Sequence, residues 1–390
     1  MKYEIADRIR QLPPYIFSEI NEMKSKAKAK GIELLSLGIG DPDLPTPLAI
    51  VKKMQESVAQ AANHAYSPYE GSDHFREAVV RFYNRRFGVS LQKGQVTALI
   101  GSKEGIAHFP MAFLNPGDNA LYPSPGYPVF ATSIALAGGN AIPLPLTAEK
   151  AFLPDVQVVE KLFQIHKPKY LLLNFPSNPT SVVCPENILQ DIIYLAKKYG
   201  VILAYDNAYS EIYLDHSKRP RSILQMAGAL DVCIEFGSLS KTFNMTGWRV
   251  GFATGNPELV SGLIKYKTNI DSGPFLAAQE AGAYALDNAE TITPSIREVY
   301  ADRIAFASLA LEKLGIEFLK PNATFYIWAK VPGSQSSMEF AKLLIETQGL
   351  VVTPGIGFGK EGEGFFRMAL TTDLVRLEIA FEKLKRFLAK

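Results

Sequence analysis

Three apolar runs set the limits on what this chain can fold into. They are Tyr170-Leu171-Leu172-Leu173, Val201-Ile202-Leu203-Ala204-Tyr205 and Val232-Cys233-Ile234-Glu235-Phe236. A strand with one wet face alternates apolar and polar side chains, whereas a strand apolar throughout is covered on both faces. Between the first two runs, Asn187 to Tyr199 repeats its apolar positions at helical spacing. Val96 to Ile100 and Asn119 to Tyr122 read as further strands, and Gly105 to Phe113 and Ala131 to Ala137 as helices. Strand, helix and strand in repetition imply a mostly parallel sheet sandwiched by helices. Ligands of such sheets bind beyond the carboxyl ends of the strands. The polar residues that follow the runs are therefore the place to look for chemistry.

The rhythm differs at both ends. An extended lead precedes a helix with Ile16, Phe17, Ile20 and Met23 as its stripe, and Leu34 to Leu37 is a short strand entering the turn Gly38-Ile39-Gly40-Asp41-Pro42-Asp43. After about residue 286 come a long helix through Arg297 to Leu314, strands near Phe318 and over Tyr326 to Val331, and a helix from Met338 to Thr347. Strands near Val351 and Phe366 and a closing helix from Leu374 to Ala389 follow. The expectation is an α/β chain with a large domain over 46–285 and a smaller α+β domain built from 1–45 and 286–390. A net charge of +2 gives no electrostatic reason to bind nucleic acid or an anionic membrane. Two cysteines, Cys184 and Cys233, supply neither a disulfide framework nor a metal-ligand spacing. They point to a reduced, cytoplasmic setting with no metal. Met1 to Arg10 contains no apolar run of the kind a signal peptide or membrane span requires.

Past the third run the chain reads Ser238-Leu239-Ser240-Lys241-Thr242, then Thr246-Gly247-Trp248-Arg249-Val250-Gly251. The hydroxyls of Ser238 and Ser240 and the guanidinium of Arg249 suit a phosphate. Lys241, among like charge and partly dry walls, has its pKa lowered and its amine freed as a nucleophile. A phosphate beside a lysine nucleophile points to pyridoxal phosphate held covalently by that lysine. For Ser-x-Ser-Lys alone, a surface loop is the competing explanation.

Asp206 ends the second run, where a carboxylate needs a cation to stay charged near a core. A protonated pyridine nitrogen is one partner; capping of the next segment is the other explanation. Tyr209 is spaced either to hydrogen-bond the cofactor's phenolic oxygen or to pack in the core. After the first run, Asn174-Phe175-Pro176-Ser177-Asn178-Pro179-Thr180 is a turn that fixes the Asn178 amide as a second donor to that oxygen. Gly101-Ser102-Lys103-Glu104-Gly105 opens a helix, so its N–H groups, with Ser102 and Lys103, form a phosphate seat. Tyr127 is a candidate to stack on the pyridine face. Arg367, between Phe366 and Met368, calls for an anion: a substrate α-carboxylate or an internal acid. Gly40 brings backbone N–H close to the same carboxylate.

With Gly40, Tyr66, Ser102, Tyr127, Asn178, Asp206, Tyr209, Ser238, Lys241, Arg249 and Arg367 in this order, the chain resembles the fold-type I pyridoxal-phosphate aminotransferases of class I/II over essentially its whole length. That resemblance implies an aspartate aminotransferase-like fold and a homodimer with active sites at the subunit interface. Tyr66, in Tyr66-Ser67-Pro68-Tyr69-Glu70-Gly71, would reach the phosphate of the neighbouring subunit. It also implies a ping-pong exchange between an amino acid and a 2-oxo acid. In it Lys241 moves the α-proton, Asp206 steadies the ring nitrogen and Tyr209 supports the ring oxygen. Ser181 stands where the family usually has glycine, a departure expected to affect only a turn.

Stretches Leu12 to Phe17, Asn269 to Phe275, Asn322 to Trp328, Pro354 to Gly359 and Gly362 to Arg367 are similar to the branch of that family acting on LL-diaminopimelate. Plant-type members of the branch bring a glutamate from the partner subunit to the far end of the substrate. Here that slot holds Tyr69, followed by Glu70. Tyr15 and Asn269 to Ser272 are the residues expected to meet that far end. An aspartate, alanine or aromatic amino donor is the alternative, as is β-elimination on the same scaffold.

Overall fold

The structure is a computed structural model that describes residues 3–10, 12 and 16–389. Its strands, in chain order, are β1 (Leu35–Ser36), β2 (Val96–Leu99), β3 (Asn119–Ser124), β4 (Asn140–Pro145), β5 (Tyr170–Asn174), β6 (Ile202–Asp206), β7 (Cys233–Ser238), β8 (Gly251–Gly255), β9 (Phe318–Leu319), β10 (Tyr326–Lys330), β11 (Leu350–Val351), β12 (Thr353–Pro354) and β13 (Phe365–Ala369). Seven of them form one sheet in the order β2-β8-β7-β6-β5-β3-β4. Every pairing in it is parallel except those of β8 with β2 and β7.

The three apolar runs are β5, β6 and β7 at the centre of this sheet, and their residues divide strictly between its faces. Leu171, Leu173, Leu203 and Tyr205 pack on one side with Phe75, Val79, Leu189 and Ile193 from the helices Asp73–Phe87 and Glu186–Tyr199. Tyr170, Leu172, Ala204, Ile234 and Phe236 pack on the other with Ile106, Phe109, Val260 and Leu263 from Ser102–Phe113 and Pro257–Lys267. Each fully buried Leu, Ile or Phe here stabilises the fold by roughly 1.5–3 kcal/mol. Glu235 is the exception in the third run. Its carboxylate is fully buried and accepts from Tyr83 Oη (2.6 Å), Asn207 Nδ2 (2.8 Å), Ser222 Oγ (2.7 Å) and Ile223 N (3.0 Å). Four donors offset its desolvation.

Strand β4 holds Pro143 and Pro145 yet pairs with β3, because it lies at the sheet's edge, where an absent N–H costs little. A second, antiparallel sheet has the order β12-β13-β10-β9. Its Ile327, Ala329, Phe366 and Met368 pack with Phe340, Leu344, Leu377 and Phe381 of the helices Ser337–Gln348 and Leu374–Leu388. Strand β1 pairs in parallel with β11, so the early chain is stitched to the late chain. The architecture is the expected α/β one: a mostly parallel sheet between helices, with a smaller sheet beside it. Among the described residues no helix is long and apolar enough to cross a membrane.

Candidate active site

Strands β5, β6 and β7 end in Asn174, Asp206 and Ser238, and the register pairs Asn174 with Asp206. A cavity of about 610 Å³ opens beyond these ends. Lys241 lines it from the helical turn Leu239–Thr242, which Ser238 caps by accepting from Ser240 N at 3.3 Å. The amine donates to Gly40 O at 2.8 Å. Burial lowers its pKa to about 8, with Arg367 and Arg249 adding to the effect and Asp41 opposing it. The direction is the one inferred from sequence, but desolvation outweighs the neighbouring cations.

Burial moves Asp206 the other way, up to about 7, against an opposing hydrogen bond from the Ala208 backbone. Its Oδ1 is buried and has no hydrogen-bond partner among the described residues. Its backbone oxygen accepts from Asn174 Nδ2 at 2.9 Å, and Asn174 Oδ1 accepts from Asn178 N at 2.9 Å. Asn174 thus holds the two strand ends in relation to each other. Asn178 Oδ1 accepts from Arg367 Nη1 at 2.6 Å, which leaves its NH₂ as the donor toward the cavity it lines. Arg367 is buried on β13, donates to Gly38 O at 2.8 Å, and lies over the rings of Tyr326 (4.3 Å) and Phe358 (4.8 Å).

Tyr209 and Tyr326 share a hydrogen bond between hydroxyls at 3.0 Å, and burial raises the pKa of both. Gly40 lies directly against Tyr326: an added Cβ would fall 2.0 Å from its hydroxyl. Close approach to that ring, and not only to a substrate, accounts for a glycine at this position. Ser181 adopts φ 62° and its hydroxyl contacts Thr324 Oγ1 (2.6 Å) and Tyr326 O (2.8 Å). Its effect thus reaches past its own turn, tying the Asn178 loop to the strand that carries Tyr326.

On the phosphate-friendly side, Ser102, Lys103, Ser238, Ser240 and Arg249 all line the cavity. Gly101 has φ 106°, and an added Cβ would come within 2.6 Å of Arg249 Nη2. Only glycine lets the strand turn there and the guanidinium lie so close. Tyr127 is half-buried in the same wall, with Lys103 Nζ 5.8 Å from its ring centre. Tyr66 is 89% exposed and does not line this chain's own cavity. Tyr15 lies outside the described residues. Asp41, Asn174 and Tyr326 joined the site unannounced by sequence. For Asn174 a signal existed: it stands four residues before Asn178 at the end of a buried strand.

These groups suit a phosphorylated pyridine aldehyde. A buried carboxylate oxygen without a partner matches a ring N–H, an amine of lowered pKa matches the aldehyde, and hydroxyls with a guanidinium match the phosphate. A family model for aminotransferase class I and II matches residues 32–384. LL-diaminopimelate aminotransferase of Nitratidesulfovibrio vulgaris (strain DP4) is 47% identical over 386 residues, covering 98% of this chain and 99% of that protein. The Aquifex aeolicus protein of the same name is 48% identical, with 98% and 99% covered. Among solved structures, substrate-bound BacF from Bacillus subtilis superposes with a TM-score of 0.91 at 34% identity, covering 99% and 98% of the two chains. Thermus thermophilus aspartate aminotransferase with maleate gives a TM-score of 0.92 at 26% identity, covering 99% and 100%.

Proposed function

The chain belongs to the class I and II aminotransferases, which work with pyridoxal phosphate, and on that premise we propose that it transaminates LL-2,6-diaminopimelate with 2-oxoglutarate. The products are tetrahydrodipicolinate and glutamate, and the physiological setting is lysine biosynthesis. The observation that carries the chemistry is the convergence of Lys241, Asp206 and Arg367 on one cavity. The choice of amino donor is supported by the near-full-length similarity to LL-diaminopimelate aminotransferases.

When bound, the cofactor supplies an electron-poor ring that takes up the electron pair left as the α-proton departs. Lys241 would be the covalent anchor, and its free amine, with a pKa near the working pH, would accept the α-proton and return it. Asp206 would keep the ring nitrogen protonated by ion pairing, and Asn178 and Tyr209 would donate to the ring oxygen. Ser102, Lys103, Ser238, Ser240 and Arg249 would hold the phosphate, and Tyr127 would stack on the ring. Arg367 and the Gly40 backbone seat the substrate α-carboxylate, with Tyr15 toward its far end. Residues 46–285 form the cofactor-bearing domain and 1–45 with 286–390 the smaller one. The working unit is a cytoplasmic homodimer in which Tyr66 enters the neighbouring site.

The test is a single-turnover panel in which holoenzyme is mixed with LL-diaminopimelate, aspartate, alanine or an aromatic donor and the loss of cofactor absorbance is timed. LL-diaminopimelate is expected to react fastest. A faster reaction with aspartate would move the chain toward the enzyme type of its Thermus neighbour and sink the proposed substrate.

A further inference from the structure

A second cavity, of about 330 Å³, shares no lining residue with the active-site cavity. It is lined by Arg85, Arg86, Arg219 and Arg297 against the carboxylates of Glu211 and Glu290. Three of these guanidinium groups surround one buried ring: Arg297, Arg219 and Arg86 lie 4.4, 5.3 and 5.7 Å from the centre of Tyr213. Contact with a ring face favours each cation, but it does nothing for the repulsion among them. Glu211 is committed to Arg86 at 2.7 Å, and Arg85 stands 3.6 Å from Asp287. Arg297 is only 9% exposed and, among the described residues, has no ion pair; its one hydrogen bond goes to Thr293 Oγ1 at 2.6 Å. Arg219, at the exposed mouth of the cavity, has no ion pair among the described residues.

Apart from its bond to Thr293, the Arg297 guanidinium opens on this cavity, so its remaining N–H groups are free to donate to an anion placed there. We propose that this arginine-lined cavity is a binding site for a phosphate group, either free phosphate or a small phosphate monoester. Phosphate fits better than a carboxylate because its tetrahedral oxygens accept from forks converging from several directions, whereas a carboxylate accepts within one plane. The site lies behind the active-site wall. Thr324 N donates to Ile212 O at 2.7 Å and Tyr213 bridges to Ala323, so the site adjoins the backbone that follows Tyr209 and precedes Tyr326 without sharing a residue with the catalytic cavity.

The experiment is calorimetric titration of holoenzyme with inorganic phosphate and, separately, with glycerol 3-phosphate, ionic strength being held constant with chloride. Holoenzyme is used so that the cofactor fills the catalytic phosphate seat, and its absorbance reports that it stays there. One saturable site per chain is expected. Its affinity should fall about tenfold or more in Arg219→Ala and in Arg297→Lys, and be unchanged in Arg367→Ala. Tighter binding of glycerol 3-phosphate identifies a monoester as the ligand, equal binding free phosphate. Absence of saturable binding at matched ionic strength, or full retention in both variants, overturns the proposal. Transaminase activity of Arg219→Ala is expected to be unchanged, so the outcome is separable from that of the amino-donor panel.

Discussion

Lys241 and Asp206 are displaced in opposite directions by one cause. Burial disfavours a charged form, so it lowers the amine to about 8 and raises the carboxyl to about 7. For Asp206 this has a consequence for stability. With the cofactor removed, the native carboxyl is protonated between its ordinary 3.8 and about 7, where the unfolded chain has lost that proton. Native stability from this group is therefore lost as pH rises through that window, at up to about 1.4 kcal/mol per pH unit. Urea titrations of cofactor-free protein across this range should show the decline, and Asp206→Asn should flatten it. An unaltered slope in the variant would assign the effect to another buried acid, Glu235 being the first to examine. Arg367→Ala should raise KM for donor and oxo acid far more than it lowers cofactor affinity. Because Arg367 also bonds Asn178, a smaller shift of the cofactor absorbance should accompany it. Cofactor loss as the main effect would mark the arginine as structural. Asp206 and Ser238 were legible in sequence because each ends an apolar run. Asp41 and Tyr326 were not, because they reach the cavity from an early loop and a late strand whose approach only tertiary packing sets.

The elements differ in how far their pattern announced them. Strands β5 and β6 were announced by runs apolar on both faces and β7 by a run broken only by Glu235, and the helix Glu186–Tyr199 carried an unbroken stripe. Strand β8, the sheet's antiparallel member, is Gly-Phe-Ala-Thr-Gly, and its glycines hide it from any propensity argument. The helix starting at Ser102 is fixed by a feature no periodicity shows. Glu104 accepts from Ile100 N at 2.7 Å, His108 lies 3.1 Å away, and the fully buried Lys267 bridges it to Asp271. Burial works to raise the Glu104 pKa, yet His108, Lys267 and the Ile100 N–H together hold it below the usual range. Asp271 in turn accepts from Gly273 N at 3.1 Å, which an added Cβ would bring within 3.3 Å of Pro68 O. The bridge therefore connects the phosphate-side helix to the loop bearing Tyr66. Lys267→Met should cost up to about 3–5 kcal/mol, because Glu104 would lose its buried cation and keep only Ile100 N–H and His108 as partners, read by urea denaturation. The double variant with Glu104→Leu should recover much of this. A single variant as stable as the parent would show that the bridge contributes little.

At the scale of the whole molecule, the position of Tyr66 is the informative fact. Its side chain is 89% exposed, in a chain whose other phosphate-side candidates line one cavity. A tyrosine so exposed either does nothing for the cofactor or serves a site on another copy. Mixing two inactive variants separates these cases. Lys241→Ala removes the proposed anchor and should have no turnover. Tyr66→Ala should bind cofactor about tenfold more weakly through loss of a charge-assisted hydrogen bond, and be nearly silent at low cofactor. If Tyr66 acts across a two-fold interface, a dimer with one chain of each kind contains one site with both wild-type groups. Random reassortment of the two variants then restores roughly a quarter of wild-type activity, because half the dimers are mixed and each has one intact site. If Tyr66 served its own chain, the mixed dimer would hold one site without lysine and one without tyrosine, and no activity would return. Recovery that depends on subunit exchange, and disappears when the variants are cross-linked as homodimers before mixing, would place the complete active site between two copies of the chain.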